Sequence, residues 1–276
     1  MAGIKAAEVK RLRDQTGAGM MDCKKALQET NGDFDQAVDV IRKKGQAIAN
    51  KRAEREATEG VVLSQVSADE KSGIMIVLNC ETDFVAKNEK FIDFAKIIAD
   101  LATAKQVANL DELLQLELNG KTLAEEVVEQ SGIIGEKVAL SFYSKIDAEK
   151  VVAYIHAGNM LATLVGFNNS SFEQQLGKDV AMQVAAMNPV AIDKENVSQE
   201  VIDKEIEIGK EQALREGKPE KLLEKIAFGK LNKFFKDNTL ANQDFIKDNK
   251  MTVKQYITAN NKDLKITEFK RFALKS

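Results

Sequence analysis

Apolar positions in the first 45 residues recur at helical spacing in three short runs. Val9 and Leu12 mark the first, which should end in Thr16-Gly17-Ala18-Gly19. Ala26 and Leu27 mark a second, from about Met20 to Thr30, broken by Asn31-Gly32. Asp33 then caps a third, with Gln36 at the capping-box position. Phe34, Ala37, Val38 and Ile41 place its apolar residues on one face. Such a bundle buries little area, so residues 1–45 should be a separate module resting on something larger or on a partner. Residues 46–59 are polar, with no sustained apolar stripe, and read as a linker with or without helical character.

From Gly60 the pattern changes. Val61–Val66 and Ile74–Cys80 are rich in β-branched and aliphatic residues, and the turn-like Ser67–Gly73 between them predicts a hairpin. Phe91, Phe94, Ala95, Ile98, Leu101 and Ala102 keep the 3.6-residue period of a helix. A polar helical stretch to Gln130 and a strand at Val138–Phe142 should follow. The layout then recurs: Val151–His156 and Met160–Phe167 predict a second hairpin about Gly158-Asn159, and Leu176, Val180, Val184 and Met187 a second helix. Two related hairpin-plus-helix halves follow from this, an internal duplication of layout. The first should occupy 60–145 and the second 146–195 with 238–276. Between them, 196–237 reads as two antiparallel helices turned by Gly217-Lys218-Pro219, an arm with little to join it to a sheet. A last strand from about Leu264 to Phe272 should complete the second sheet. The expected class is α+β.

Composition narrows the function. The 276-residue chain carries a net charge of −3, so no global basic field points to nucleic acid. No apolar run approaches a membrane span, and Met1–Val9 lacks the core of a secretory signal. Cys23 and Cys80 lie far apart, which favours reduced thiols and the cytoplasm. With one histidine, no tryptophan and no HExxH, CxxC or GxSxG motif, the chain lacks the usual equipment of acid–base, zinc or nucleophilic catalysis. No cofactor and no resident metal are expected. Gly120-Lys121-Thr122 resembles the end of a phosphate loop, but Gln115 stands where the first glycine is needed, and Thr122 with Glu125 reads better as a helix capping box. An enzyme built on carboxylates, with or without Mg²⁺, and an RNA-binding protein are the alternatives from other classes.

The most unusual segment is Cys80-Glu81-Thr82-Asp83-Phe84-Val85-Ala86-Lys87-Asn88. It joins a buried-looking strand to an amphipathic helix, where small polar residues are usual. Phe84 either folds back to cover its own core or is presented as a wedge for a pocket of a partner.

Thr82–Asn88 also matches the signature of the bacterial-type translation elongation factor Ts family. So do Thr16–Leu27 with Asn31-Gly32-Asp33, Gly135-Glu136-Lys137, Ala181–Met187 and Gly217–Lys221, all in the family's order. The resemblance runs from near Ala6 to Phe272. It implies a three-helix module of ubiquitin-associated type, a core of two related α+β halves, and a helical hairpin that can mediate dimerisation. It implies a guanine-nucleotide exchange factor for elongation factor Tu, binding that partner in its GDP-bound and nucleotide-free states. In this reading Thr82, Asp83, Phe84 and Val85 dislocate the partner's Mg²⁺ site. Met20, Asp22, Cys23 and Lys24 grip the same domain, and His156 faces another. A homodimer or 2:2 complex is expected, without membrane or direct nucleic-acid contact. In the second hairpin, Tyr154, His156, Gly158, Leu164 and Val165 match the family pattern, whereas Asn159, Met160 and Ala162 depart from it.

Overall fold

The structure is a computed structural model and describes residues 4–275. The chain divides into two compact units. The first comprises the chain up to Leu63, Ile76–Ser144 and the chain end from Leu274, and the second Ser64–Met75 and Lys145–Ala273.

The first unit begins with α1 (Ala6–Thr16), α2 (Met20–Glu29) and α3 (Phe34–Arg52). Each boundary has a local cause. Gly17 ends α1 in a left-handed conformation, and its N–H returns to the Arg13 carbonyl. Asp33 caps α3 by accepting the Gln36 N–H at 3.0 Å, and the Gln36 side chain adds a second bond to the same carboxylate. Leu12, Cys23, Ala26, Leu27, Ala37 and Ile41 close the small core. The helix α3 continues through residues 46–52. Its course there is set by a crossing partner rather than by an apolar stripe. Gly45 lies against Gly132 of α7 (Leu123–Ile134), so close that a Cβ on Gly132 would stand 2.4 Å from the Gly45 Cα. Position 132 must lack a side chain for that approach.

After α3 come β1 (Glu59–Val66) and β2 (Ser72–Cys80), then α4 (Asp83–Ala86), α5 (Glu89–Lys105) and α6 (Leu110–Gln115). All nine residues of β2 are buried, which explains its continuous apolar run. The expected long helical stretch to Gln130 is broken by β3 (Glu117–Leu118) and β4 (Lys121–Thr122). Asn119 and Gly120 between them both take positive φ, as a tight two-residue hairpin turn requires. Thr122 and Glu125 form the capping box of α7. The Gly-Lys-Thr fragment is therefore a hairpin and a helix start. The strand β5 (Ala139–Asp147) flanks β2, giving the order β1-β2-β5.

In the second unit β6 (Lys150–Ile155) and β7 (Leu161–Phe167) pair antiparallel, and α8 (Gln174–Met187) packs on both. The sequence then forms α9 (Gln199–Arg215) and α10 (Glu220–Asn238), which pack on each other through Gly209, Ala213, Ala227 and Leu231. At the base of this helical hairpin the Val190 N–H bonds to the Asn238 carbonyl and the Leu240 N–H to the Ala191 carbonyl. The chain returns through β8 (Asp244–Phe245), β9 (Asp248–Thr252) and α11 (Val253–Asn260), and β10 (Ile266–Ala273) pairs antiparallel with β7. The order β10-β7-β6 repeats that of the first sheet: the hairpin's second strand is central, and the strand after the helix covers its other edge. The fold is α+β, with a three-helix start, two related hairpin-plus-helix halves and an antiparallel helical hairpin.

Behind the second sheet, Asp179 of α8 is buried and accepts hydrogen bonds from Lys247 Nζ (2.7 Å), Gln175 Nε2 (2.6 Å) and Tyr256 Oη (3.0 Å). Burial alone would raise its pKa. The three donors and the Lys247 charge outweigh burial and hold the carboxyl below its usual range, while burial and Asp179 push Tyr256 up to about 12. A folded-state pKa below the unfolded value of about 3.9 stabilises the fold at neutral pH, and that share is lost as pH falls through the folded value. Asp179→Ala is expected to cost about 1–3 kcal/mol at neutral pH. The gap from the parent protein should shrink as pH falls below about 3.9. Thermal unfolding of both proteins across that range checks this, and a gap that stays constant would show that the charge is not what Asp179 contributes.

Candidate functional site

The segment singled out by the sequence forms one stiff turn. Cys80, the last residue of β2, is buried, and its thiol donates to the Thr82 carbonyl at 3.2 Å. Burial, with the Glu136 charge adding to it, pushes this thiol up to about 12, which keeps it protonated and inert. Thr82 caps α4, its hydroxyl oxygen accepting the Val85 N–H at 3.4 Å. Asp83 pairs with Lys87 at 2.6 Å, one helical turn on, and this bond holds the Asp83 carboxyl below its usual range. Asn88 caps the next helix by accepting the Lys90 N–H at 2.9 Å.

Two caps in seven residues fix the orientation of the side chains. Phe84 is 82% exposed, the most exposed large apolar residue in the described chain. It does not cover its own core. Val85, the next residue, is half-buried and borders a cleft of about 780 Å³ with Phe91, Phe94 and Ile133. Thr16, the last residue of α1, and Gly17 after it border the same cleft.

A second set of residues, which sequence reasoning passed over, holds this turn from behind. The Glu136 carboxylate accepts the N–H groups of Glu81 (3.1 Å) and Thr82 (3.0 Å) and the Thr82 hydroxyl (2.7 Å). The Glu81 carboxylate accepts the Lys137 N–H at 2.6 Å and the Arg52 guanidinium at 2.8 Å. Burial acts to raise the Glu81 pKa, but the Lys137 N–H and Arg52 outweigh it and the net shift is downward. Lys137 Nζ in turn donates to the carbonyls of Ala53 and Arg55. Gly135-Glu136-Lys137 was visible as a motif, but its contact with residues 81 and 82 spans 55 positions, and only the fold reveals it.

The remaining expected site residues fall in two places. Met20 and Met21 are exposed at the start of α2, as is Lys24. Asp22, half-buried, pairs with Lys44 of α3. Cys23 is fully buried, and its Sγ contacts the Ala18 carbonyl at 3.7 Å. Burial raises its pKa. It therefore packs the bundle beneath the exposed residues and has no surface of its own to offer. His156 belongs to the second unit, exposed at the turn between β6 and β7, with its Nδ1 2.9 Å from the Tyr154 hydroxyl.

Residues 81–276 match the family model described as elongation factor TS. The chain belongs to the elongation factor Ts family. It is 53% identical to elongation factor Ts of Amoebophilus asiaticus over 270 residues, covering 97% of this chain and 98% of that protein. It is 50% identical to elongation factor Ts of Christiangramia forsetii over 275 residues, covering 99% and 100%. For elongation factor Ts of Chloroherpeton thalassium the identity is 45% over 286 residues, with 99% of each chain covered. The elongation factor Ts family serves translation elongation as nucleotide exchange factors, and its members carry out no bond-making reaction of their own. Among the described residues no helix is long and apolar enough to cross a membrane, and no group of three or more His, Cys, Asp or Glu is placed to hold a metal ion.

Proposed function

We propose that this chain promotes GDP release from elongation factor Tu by inserting the Thr82–Val85 turn beside the partner's Mg²⁺ site. The observation that carries this is Phe84, an aromatic side chain 82% exposed on a turn with a cap at each end. An apolar ring kept out of its own core is suited to burial in another protein. Asp83 and Phe84 enter between two helices of the partner's GTPase domain. Mg²⁺ requires near-octahedral ligands shared between protein and phosphates, so a small displacement there weakens nucleotide binding. Linkage completes the cycle: whatever lowers GDP affinity raises, by the same factor, the affinity of this chain for the empty partner.

One phenylalanine buries roughly 1.5–3 kcal/mol of apolar contact, too little alone for a strong exchange factor. The other contacts hold the partner while the turn acts. Met20, Asp22 and Lys24 bind the same domain from the three-helix start, with Cys23 shaping that surface from beneath. His156 reaches a second domain of the partner. The helical hairpin, with Leu214, Leu222 and Phe228 exposed on it, serves self-association in a homodimer or 2:2 complex. The protein acts in the cytoplasm, without a cofactor and without touching nucleic acid.

The test is release of labelled GDP from purified elongation factor Tu with and without this chain. A rate that does not rise with added chain would end the proposal. The chain alone is expected to bind neither GTP nor GDP, because Gly120-Lys121-Thr122 is committed to a hairpin and a helix cap. Calorimetry at millimolar nucleotide checks this, and saturable one-to-one binding would contradict it.

A further inference from the structure

We propose that Glu136 is a positioning residue for the Thr82–Val85 turn, its carboxylate setting the direction in which Phe84 is presented. This rests on the exchange-factor reading above. An exposed aromatic on a short turn gains by folding down onto its own protein, because that removes apolar area from water. Phe84 stays 82% exposed only if the backbone leading into it is held.

The hold is a reciprocal exchange. Glu136, just beyond the C-terminus of α7, takes the backbone N–H groups of Glu81 and Thr82 on one oxygen and the Thr82 hydroxyl on the other. Glu81 returns the favour of geometry to the opposite segment by accepting the Lys137 N–H. Bonds from N–H or O–H groups to an ionised carboxylate are short and strong. If either carboxylate leaves, the N–H groups it served lose their partner, so each keeps the other in place. The Thr82 hydroxyl carries the constraint forward. Donating its O–H to Glu136, it accepts the Val85 N–H on a lone pair and so fixes the first turn of α4, where Phe84 sits.

The anchor itself is stiff. Ile133 of α7 packs so closely on the loop before α2 that a Cβ on Gly17 would meet its Cγ2 at 3.3 Å. Arg52, at the end of α3, braces Glu81 from the other side. Glu136 thus ties the turn to the end of α7, while Arg52 ties Glu81 to the end of α3.

If Glu136 acts through Phe84, its effect on exchange vanishes when Phe84 is absent. The experiment places Glu136→Ala and Glu136→Gln in the full chain, each with and without Phe84→Ala. GDP release from elongation factor Tu at saturating factor and amide hydrogen exchange of the free protein are then measured. Glu136→Ala should slow release by about tenfold, within the one to two powers of ten expected when the ring itself is removed. Glu136→Gln should keep most of the rate, because its carbonyl oxygen can still accept both N–H groups. In the Phe84→Ala background Glu136→Ala should add no further loss. Amides of residues 81–85 should exchange faster in Glu136→Ala, with those of β7 unchanged.

A loss of equal size in both backgrounds, or unaltered protection at residues 81–85, would overturn the proposal. If Glu136→Ala does not fold, Glu136→Asp, which keeps the charge but shortens the reach, takes the same measurements. Should the parent chain fail to stimulate GDP release, the exchange-factor reading falls. The amide comparison then decides the role of Glu136 in the turn by itself.

Discussion

Replacing Phe84 by alanine is expected to leave the melting temperature of the free protein nearly unchanged while slowing stimulated GDP release by about one to two powers of ten. The two halves of this expectation have separate causes. Phe84 is 82% exposed, so its removal opens no cavity. Truncating a buried phenylalanine would cost about 3–5 kcal/mol. The loss of exchange follows from apolar area no longer buried in the partner. Asp83→Ala should also impair exchange at little cost to stability, since its pair with Lys87 is exposed and such pairs contribute little. The two losses need not add, because neighbours acting as one unit rarely do. Val85→Ala should show the reverse balance, costing stability more than exchange, as its side chain borders the cleft beneath the turn. Thermal unfolding of each free variant and GDP release from elongation factor Tu decide the matter. A stable Phe84→Ala protein with full activity would remove this turn from the mechanism.

The second large effect is expected at the crossing of α3 and α7, and it is asymmetric. A Cβ on Gly132 would stand 2.4 Å from the Gly45 Cα and 2.6 Å from its carbonyl carbon and oxygen, all backbone atoms that cannot rotate aside. A Cβ on Gly45 would meet the Gly132 Cα at 3.4 Å, close to an ordinary contact. Both glycines lie inside helices, where alanine is favoured by about 1 kcal/mol. Gly132→Ala should therefore pry the helices apart, with a strain of about 1–3 kcal/mol or more that exceeds the propensity gain. Gly45→Ala should be neutral or stabilising. Gly132→Ala should also slow exchange, because the displaced α3 carries Arg52 away from Glu81. Denaturant unfolding of the two variants, with hydrogen exchange of the α3 amides, measures both claims. Equal stability of the two alanine variants would mean that the crossing does not constrain the helices as described.

What could be read from the chain, and what could not, divides by distance along it. Caps and turns are local, so Asp33 with Gln36, Thr122 with Glu125, and the Gly217–Pro219 reversal were all legible. The duplication was legible because the spacing of strand and helix recurs. Phe84 stood out because a large ring has no ordinary reason to sit in such a loop. Other features required the fold. The stretch from residue 46 has no apolar stripe and reads as a linker, yet α3 runs to Arg52 because Gly45 seats it on α7. Cys23 lies between exposed Met21 and exposed Lys24, and only the closed bundle shows that its side chain turns inward. The Asn119-Gly120 turn was hidden by the helix-favouring residues on both sides. The Glu81–Glu136 exchange depends on charged residues that would pass for solvated surface until the two segments meet.

The continuity of α3 makes its length as consequential as its sequence. Its 19 residues span about 28 Å as an α-helix. Along that rod three attachments are set at fixed angles: the apolar face ending at Ile41, the bare patch at Gly45, and the guanidinium of Arg52. One residue inserted between Ile41 and Gly45 would turn everything beyond it by about 100° and advance it by about 1.5 Å. Gly45 would then face away from Gly132, and Arg52 from Glu81. Substitutions along the exposed face of this helix leave that phase untouched, whereas insertions and deletions do not. The segment is thus a ruler read in whole turns, and the placement of the three-helix module against the turn that carries the exposed aromatic is inherited as a residue count.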